Sequence, residues 1–559
     1  MTIDRQTLRW NGWGKADQEN PLPEGAAQWE FIRAALGMRA LPSTPAKRFT
    51  DVVLPKSRLN ADAIARLKEI VGNNQVRDDD YERAFHARGK SYHDLLYVRA
   101  GKLEVAPDAV VYPRSLDEVE LVLKYCLKNN IALVPYGGGS SVVGGVNAQS
   151  GALDRAVITL DMTLMNRVLK IDKKSMTATL QAGIYGPELE KALNEHGVTL
   201  SHFPQSFEFS TLGGWIAARG AGQQSNRYGK AEKWLVSATL VTPKGIWKTE
   251  STPASAAGPN LNQLVAGSEG TLGIICEATV KIHEVPEEKD YRGYLFKNFA
   301  SGVKAVRAIN HADIPVAMVR LSDAPETYFF QAASGGSGSG LKAKLQSLYL
   351  KSKGLTAPCL MLVGLEGDKE SVSYARTRTS AIAERYGATA IGTGAGKKWY
   401  QGRFHSPHMR DPMMDHGLGI DTLETSTTWA NMLPLHEKVT NAIEEAISAN
   451  APEPGERGIV IAHVSHSYPD GASLYFTFLF PRKLDDEVGQ WLAIKRAASD
   501  AILAGGGTIS HHHGVGTDHA PWLAEEKGPQ GYQLLKTLKA ECDPDGILNP
   551  GKLLDNTRA

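Results

Sequence analysis

The chain has 559 residues, of which 42% are hydrophobic and 22% charged. These proportions are typical of a globular protein, and the length favours two or three domains over a single core. The 62 Lys and Arg residues balance 61 Asp and Glu residues, which argues against a general nucleic-acid binder.

The cysteines and the hydropathy pattern indicate a cellular compartment. The cysteines, Cys126, Cys276, Cys359 and Cys542, lie far apart and form no CxxC pair. This spacing predicts reduced thiols and argues against both a disulfide framework and a zinc cage. The N-terminal stretch has no apolar signal segment, and no apolar run approaches the ~20 residues that span a bilayer. We therefore expect a cytoplasmic protein.

The predicted elements divide the chain into three parts. Residues 1–104 are predicted to be a mostly helical segment, with one helix at "ADAIARLKEIV". Over residues 105–285, short β-branched runs alternate with helical stretches and glycine-rich turns, a pattern that favours an α/β nucleotide-binding unit. Residues 286–559 alternate helices with strands and predict a second, α+β domain, in which "ASGGSGSG" (333–340) is a flexible break.

Glycine-rich loops are the clearest sign of a ligand. "PYGGGSSVVGG" (135–145) follows an apolar strand, and consecutive glycines let backbone N–H groups approach a diphosphate closely. Alone, this loop is explained equally well by a tight structural turn. Similar Gly/Ser-rich segments recur at 204–215, 218–229 and 266–274. One extended cofactor crossing the domain would use all of them.

Several motifs carry a family resemblance. "PYGGGSS", "STLGGW", "GSEGTLGI" and "DPDGILNPGKLL" resemble the p-cresol methylhydroxylase and vanillyl-alcohol oxidase flavoprotein superfamily. "RWNGWG", "FEFSTLGGW", "RLSD" and "SHHHGVG" resemble the alkyldihydroxyacetonephosphate synthase family of ether-lipid flavoenzymes within it. The implied fold is α+β: a two-subdomain FAD-binding domain of p-cresol methylhydroxylase type, then an α+β cap domain whose C-terminal segment returns to the flavin.

The resemblance implies a bound FAD and its contacts. Some superfamily members attach the flavin covalently to a histidine beside the glycine loop, whereas Ser140 and Ser141 follow the triple glycine here, so we expect non-covalent FAD. The implied contacts are Pro135, Tyr136, Gly137, Gly138, Gly139, Ser140, Ser141, Gln205, Ser206, Phe207, Glu208, Phe209, Ser210, Thr211, Ala218, Arg219, Gly220, Ala221, Gly267, Ser268, Glu269, Gly270, Thr271, Leu272 and Gly273.

A strand in the second domain presents a candidate proton donor. "ASLYFTFLFP" alternates strictly, with Leu474 and the phenylalanines on one face and Tyr475 among the polar residues of the other. We expect this strand to pair with "IVIAHVSHS" across the "SYPDG" turn. The pattern alone is compatible with a half-exposed surface tyrosine, but the resemblance places Tyr475 on the family's proton-transferring tyrosine.

The run His511, His512 and His513 has three possible roles: a metal site, proton transfer or a structural strand end. Adjacent histidines rarely chelate one ion, and no Cys, Asp or Glu motif completes a coordination shell, so we expect no metal. Histidines titrate near neutrality and can shuttle protons beside a flavin. The resemblance favours this acid–base role. It also makes Arg320 an active-site residue and Arg410 the ligand of a substrate phosphate, which a guanidinium fork suits.

The implied activity replaces the acyl group of acyl-dihydroxyacetone phosphate by a fatty alcohol. The rival hypothesis is FAD-dependent oxidation of a 2-hydroxy acid or glycerol phosphate, favoured by the ending "DPDGILNPGKLL" and by His463, which occupies the position of an arginine in the ether-lipid enzymes. We expect a homodimer with a lipid substrate. The lysine-rich stretch 341–354 predicts either a solvated surface helix or peripheral contact with an anionic membrane.

Overall fold

Three main β-sheets, of four, five and seven strands, organise residues 7–18, 22, 26–333 and 354–554, which are the residues that the structure, a computed structural model, describes. The predicted α+β architecture is confirmed. Most of stretch 341–354 lies outside these residues. Within them, no helix combines the length and apolar character needed to cross a bilayer.

The N-terminal helices pack against both domains. The predicted helix at 61–71 is confirmed: the Asn60 side chain caps it by accepting from the Ala63 N–H, and its apolar face buries Leu67 and Val71. Trp29 and Ile32 of the first helix pack instead with Met413 of the cap domain. The helices are α1 (Ala27–Ala35), α2 (Ala61–Val71), α3 (Asp80–Phe85) and α4 (Tyr92–Arg99).

The four-stranded sheet supplies the first glycine loop. Its strands are β1 (Val76–Arg77), β2 (Ala109–Val111), β3 (Ala132–Tyr136) and β4 (Val157–Asp161), in the order β1-β2-β4-β3, with α5 (Leu116–Lys128) packed on it. β2, β4 and β3 are parallel, as the alternation of strands and helices predicts. The "GGGSS" loop follows β3 directly.

The five-stranded sheet carries the other glycine-rich segments. Its order is β5-β6-β10-β8-β9, and a short ladder of β7 with β11 lies beside it. The strands are β5 (Val168–Asp172), β6 (Thr177–Gln181), β7 (Val198–Thr199), β8 (Leu235–Thr242), β9 (Gly245–Lys248), β10 (Ile274–Lys281) and β11 (His283–Glu284). The helices between them are α6 (Gly186–Asn194), α7 (Leu212–Ala217), α8 (Ser225–Tyr228), α9 (Ala231–Trp234) and α10 (Asn262–Val265).

The seven-stranded antiparallel sheet forms the cap domain. Its order is β15-β12-β14-β13-β17-β18-β16. The predicted pairing of 459–467 with 471–481 is confirmed, and Leu474, Phe476, Phe478 and Phe480 lie in the core as the alternation predicts. The strands are β12 (Glu288–Phe296), β13 (Met318–Ser322), β14 (Cys359–Gly367), β15 (Thr389–Ala390), β16 (Leu418–Thr428), β17 (Ile459–Ser467) and β18 (Gly471–Pro481).

Helices cover the core face of this sheet, and the chain then returns to the first domain. Leu548 bridges to Leu133 of β3, and the Asn549 side chain donates to the Gly145 and Glu269 carbonyls, so the C-terminal segment ends beside the glycine loops. The helices are α11 (Phe299–His311), α12 (Ala324–Ala333), α13 (Lys369–Arg385), α14 (Gly394–Gly402), α15 (Arg410–Asp415), α16 (Met432–Ala449), α17 (Glu487–Ala504) and α18 (Ala520–Cys542), which breaks at Gly528.

Candidate active site

A cavity of about 600 Å³ lies between the glycine loops and the seven-stranded sheet. The cap contributes Arg320, Arg410, Tyr475, His512 and His513 to its wall. Sixteen of the predicted cofactor contacts also line the cavity: Pro135, Tyr136, Gly137, Gly138, Gly139, Ser140, Ser141, Gln205, Ser206, Ser210, Thr211, Ala218, Gly220, Ala221, Glu269 and Gly270. Predicted cofactor contacts and predicted catalytic residues therefore share one space.

Other predicted contacts lie behind the wall. Phe207 packs in the core of the five-stranded sheet, and Arg219 donates to Gln263. The predicted residues outside the lining are Phe207, Glu208, Phe209, Arg219, Gly267, Ser268, Thr271, Leu272, Gly273 and His511. These residues shape the loops that carry the lining residues.

The glycines at 137 and 138 are required by packing between two loops. A Cβ atom on Gly138 would lie 1.7 Å from the Phe209 carbonyl oxygen, and one on Gly137 would lie 2.2 Å from Thr211 Oγ1. Any side chain at these positions would push the two loops apart. The glycines thus hold the first and second Gly/Ser-rich segments in contact at the cavity wall, and we call this pair of loops the cradle.

The same loop offers unused backbone donors. Among the described residues, no acceptor lies against the N–H groups of Gly138, Gly139, Ser140 and Ser141. Successive backbone N–H groups without protein partners suit the oxygens of a diphosphate. The residues present therefore fit the diphosphate of an FAD.

Two buried carboxylates, Glu424 and Glu269, hold the "SHHHGVG" segment (510–516), and we call this arrangement the clamp. Glu424 of β16 accepts hydrogen bonds from the N–H groups of His511, His512 and His513, at 2.5 to 2.9 Å, and from the Ser510 hydroxyl. Glu269, from the third glycine-rich loop, accepts the N–H groups of Val515, at 2.5 Å, and Gly516, at 2.7 Å. The segment is a bend rather than a strand, because its amides face carboxylates instead of a neighbouring strand.

These carboxylates differ in electrostatics. Burial opposes ionisation of Glu424, but the loop N–H groups that donate to it outweigh this effect, so its pKa lies below the usual value. Burial raises the pKa of Glu269 to about 7, although its two backbone donors act in the opposite direction. Glu424 is therefore the firmly ionised member of the pair.

The histidines face different surroundings. His512 and His513 line the cavity, whereas the His511 Nε2 lies 2.6 Å from the Tyr468 hydroxyl, away from it. Burial lowers the pKa of both His512 and His513, so both rings are neutral at physiological pH and each has one nitrogen lone pair. Neutral imidazoles on the cavity wall can accept protons.

Tyr475 lies at the centre of this polar wall. Its ring stacks on His463, with centroids 5.0 Å apart, and its centroid lies 6.1 Å from that of His512 and 5.6 Å from that of His513. The side chain is buried, and burial raises the pKa of its hydroxyl. The predicted position on a polar face is confirmed, and Tyr475 stays protonated until a base takes its proton.

The two predicted arginines lie on the same wall, each with an acidic partner. Arg410 is buried and donates to the Lys90 carbonyl at 2.9 Å, and its other nitrogen lies 3.5 Å from Asp421. Arg320 donates to Glu326 at 2.9 Å, and its guanidinium lies 3.1 Å from His463 Nδ1. Both guanidiniums are therefore oriented before any substrate binds.

Sequence reasoning missed Glu424, Glu326 and His466. Glu424 lies directly opposite Tyr475 across the β16–β18 ladder, and its sequence position gives no sign of that pairing. Strict alternation would place His463 and His466 on opposite faces of β17. A register shift between Val464 and Ser467 brings both to the cavity.

Comparisons with known proteins define the class of the chain. A family model of an FAD binding domain matches residues 107–250, and a model of the C-terminal domain of FAD linked oxidases matches residues 285–553. The structure of p-cresol methylhydroxylase, 16% identical, superposes with a TM-score of 0.69 over 90% of this chain and 98% of that chain. The chain is an FAD-linked enzyme with a fold of p-cresol methylhydroxylase type.

The family within this class follows from relatives that cover the whole chain. Alkyldihydroxyacetonephosphate synthase of Dictyostelium discoideum is 34% identical over 98% of this chain and 94% of its own length. A solved structure of alkyldihydroxyacetonephosphate synthase is 32% identical and superposes with a TM-score of 0.82, with 98% of each chain covered. The chain belongs to the alkyldihydroxyacetonephosphate synthase family.

Gly138→Ala should abolish most FAD binding, because its Cβ would separate the two loops that form the cradle. FAD per chain, measured by absorbance after denaturation, reports the effect. Gly394→Ala is the matched control, since a Cβ there meets no atom within 4 Å. Full FAD content in Gly138→Ala would contradict the assignment of the cradle.

Glu424→Gln should destabilise the protein, because an amide oxygen accepts the loop N–H groups less strongly than a carboxylate. Hydrogen bonds to charged groups contribute about 1.5–3 kcal/mol each, so we expect a loss of about 3 kcal/mol and a fall of about 5 °C in the melting temperature. The exposed Glu445→Gln is the control. Equal melting temperatures for the two variants would show that the clamp contributes nothing.

Proposed function

We propose that this chain is an FAD-dependent alkyldihydroxyacetonephosphate synthase, which replaces the acyl group of acyl-dihydroxyacetone phosphate by a fatty alcohol. One observation carries the proposal: a single cavity joins the glycine cradle to Tyr475, His512 and His513 and continues into an apolar wall. The redox alternative has less support, because relatives covering 98% of the chain are synthases.

The cofactor is held by backbone rather than by a covalent bond. The 137–141 loop would take the diphosphate, and no histidine follows its triple glycine. When bound, FAD would supply an electron-accepting ring system that can activate the dihydroxyacetone carbon for exchange of its chain. Side chains on the cap wall would carry out the proton transfers and bind the anionic groups of the substrate.

Tyr475 and the histidines divide the proton transfers. The Tyr475 hydroxyl is protonated because it is buried, so it takes the substrate proton as it passes its own proton to one neutral histidine of the His512–His513 pair. The other neutral histidine of the pair accepts the proton of the incoming alcohol, which makes the alcohol oxygen a better nucleophile. His511 lies behind them against Tyr468, and we assign it a positioning role.

The guanidinium groups of Arg410 and Arg320 mark the part of the cavity that would bind the anionic groups of the substrate. Arg410 would bind the substrate phosphate, since a guanidinium presents paired donors to phosphate oxygens. Arg320, fixed by Glu326 and His463, would stabilise negative charge on the departing carboxylate.

Strand register gives the cavity an apolar end. Glu424, Tyr475 and His463 form one cross-strand row of β16, β18 and β17; Ile420, Leu479 and Ile459 form another, four residues away. The side chains of the three strands thus become less polar with distance from the histidines. Phe329, Met409 and Met413 extend this end of the wall, which suits the hydrocarbon tail of the acyl group or the alcohol.

The proposed function also suggests where the enzyme works and how it assembles. The substrate is a small molecule with a fatty chain. Peripheral contact of this cytoplasmic protein with a membrane surface would shorten the path of the substrate from the membrane to the cavity. The 341–354 segment is our candidate for that contact, and its first thirteen residues lie outside the described part of the chain. We also expect a homodimer.

The deciding assay supplies acyl-dihydroxyacetone phosphate to the FAD-loaded protein, with and without fatty alcohol. We expect release of fatty acid and formation of ether-linked product that both depend on the alcohol. An artificial electron acceptor in a parallel sample tests the alternative. Reduction of the acceptor by a 2-hydroxy acid, without any ether product, would overturn the proposal.

Tyr475→Phe should reduce kcat by about 10²–10⁴-fold, the usual contribution of a general acid or base, and leave FAD content unchanged. Tyr374→Phe, which alters an exposed tyrosine on α13, should retain full activity. If Tyr475→Phe also retains most of its activity, the hydroxyl moves no proton in the reaction.

A further inference from the structure

Three imidazoles from two distant segments lie together beside the cavity. His466 comes from β17, and His511 and His512 from the clamped loop. One ring nitrogen of each lies within 4.8 Å of the others. The His511 and His512 Nδ1 atoms form a hydrogen bond of 2.9 Å, and the centroid of the His466 ring lies 5.2 Å from that of His511 and 5.3 Å from that of His512.

A second group at similar distances, Glu424, His512 and His513, is already satisfied. Both Glu424 oxygens accept hydrogen bonds from the loop, so a cation there would have to break the clamp. In contrast, His466 Nδ1 is buried and has no hydrogen-bond partner among the described residues. A buried ring nitrogen without a partner is unfavourable unless a ligand uses the site.

The surroundings of the three imidazoles resemble those of a metal ligand set. Histidine ligands usually bind the metal through one nitrogen and hydrogen-bond through the other. His511 can adopt this arrangement, since its Nε2 meets the Tyr468 hydroxyl and its Nδ1 points to His512. A cation bound by both Nδ1 atoms would replace the hydrogen bond that now joins them. The Lys230 ammonium, which donates to the His511 carbonyl, opposes a cation, whereas the ionised Glu424 beneath the loop favours one.

The sequence predicts no metal here, because adjacent histidines rarely bind one ion, but it gives no sign that His466 of β17 joins the pair. We propose that His466, His511 and His512 form a zinc site and that zinc reversibly inhibits the enzyme. Three histidines with one open position are a common zinc arrangement, and His466 and His512 both reach the cavity, where the fourth position would open. Imidazole nitrogens select zinc over magnesium or calcium, which prefer oxygen ligands. The inhibition, unlike the binding, rests on the proposed function, because zinc would occupy the lone pair of His512.

Binding is tested on the full-length, FAD-loaded protein without substrate. The protein is first freed of metal with a chelator and then titrated with zinc chloride against a chromophoric zinc indicator. We expect one tight site per chain, which magnesium chloride does not occupy. Absence of a site that competes with the indicator would overturn the proposal.

Variants then locate the site. His466→Gln should weaken zinc binding at least tenfold, and Tyr468→Phe, which keeps all three imidazoles, should weaken it about tenfold. His196→Gln is the matched control, because it removes an exposed histidine far from the group in sequence. Flavin absorbance and circular dichroism identify any variant that fails to fold. Equal affinities for wild type, His466→Gln and Tyr468→Phe would place the zinc elsewhere and refute the site.

Inhibition is measured separately in the transfer assay. Zinc should abolish alcohol-dependent release of fatty acid over the same concentration range in which it occupies the site, and excess chelator should restore the rate. Full activity of the zinc-loaded protein would refute the inhibitory role and leave the measured binding in place. A metal-free protein without transfer activity would instead count against the proposed function, whatever its zinc affinity.

Discussion

The active site depends on one constraint: the amides of the 510–516 segment are held by carboxylates from two different parts of the fold. Glu424 belongs to the seven-stranded sheet and Glu269 to the third glycine-rich loop. Because each accepts several N–H groups in a buried setting, neither can be replaced by water without loss. The clamp fixes the backbone of the histidines and at the same time joins the cap to the glycine loops.

The rest of the wall follows from strand pairing. Glu424, Tyr475 and His463 share a row across three antiparallel strands, so the clamp and the tyrosine are parts of one rigid sheet. His463 in turn contacts Glu326 and Arg320, which extends the ordered polar surface without a further loop. Such a surface can be oriented before substrate arrives, which is what acid–base and electrostatic catalysis require.

Much of this arrangement could be predicted from sequence, and the exceptions have physical reasons. Residues with a local signal were predictable: the glycines of the 137–139 loop, the capped helix at 61–71, and Tyr475 on an alternating strand. Glu424 and His466 were not, because their roles arise from the order of strands and from a β-bulge, and neither leaves a periodic trace. The roles of Arg320 and Arg410 were predicted from the family resemblance, since the sequence alone would place both arginines on the surface.

We infer that substrate and flavin share one cavity. The most direct measurement titrates the FAD-loaded protein with acyl-dihydroxyacetone phosphate, without alcohol, and follows the visible absorption of the flavin alongside calorimetric binding. We predict a saturable change in the flavin spectrum whose midpoint matches the calorimetric one, and a higher midpoint for Arg410→Ala, because the phosphate loses its charged partner. Calorimetric binding that leaves the flavin spectrum unchanged would place the substrate outside the cavity and contradict a shared site.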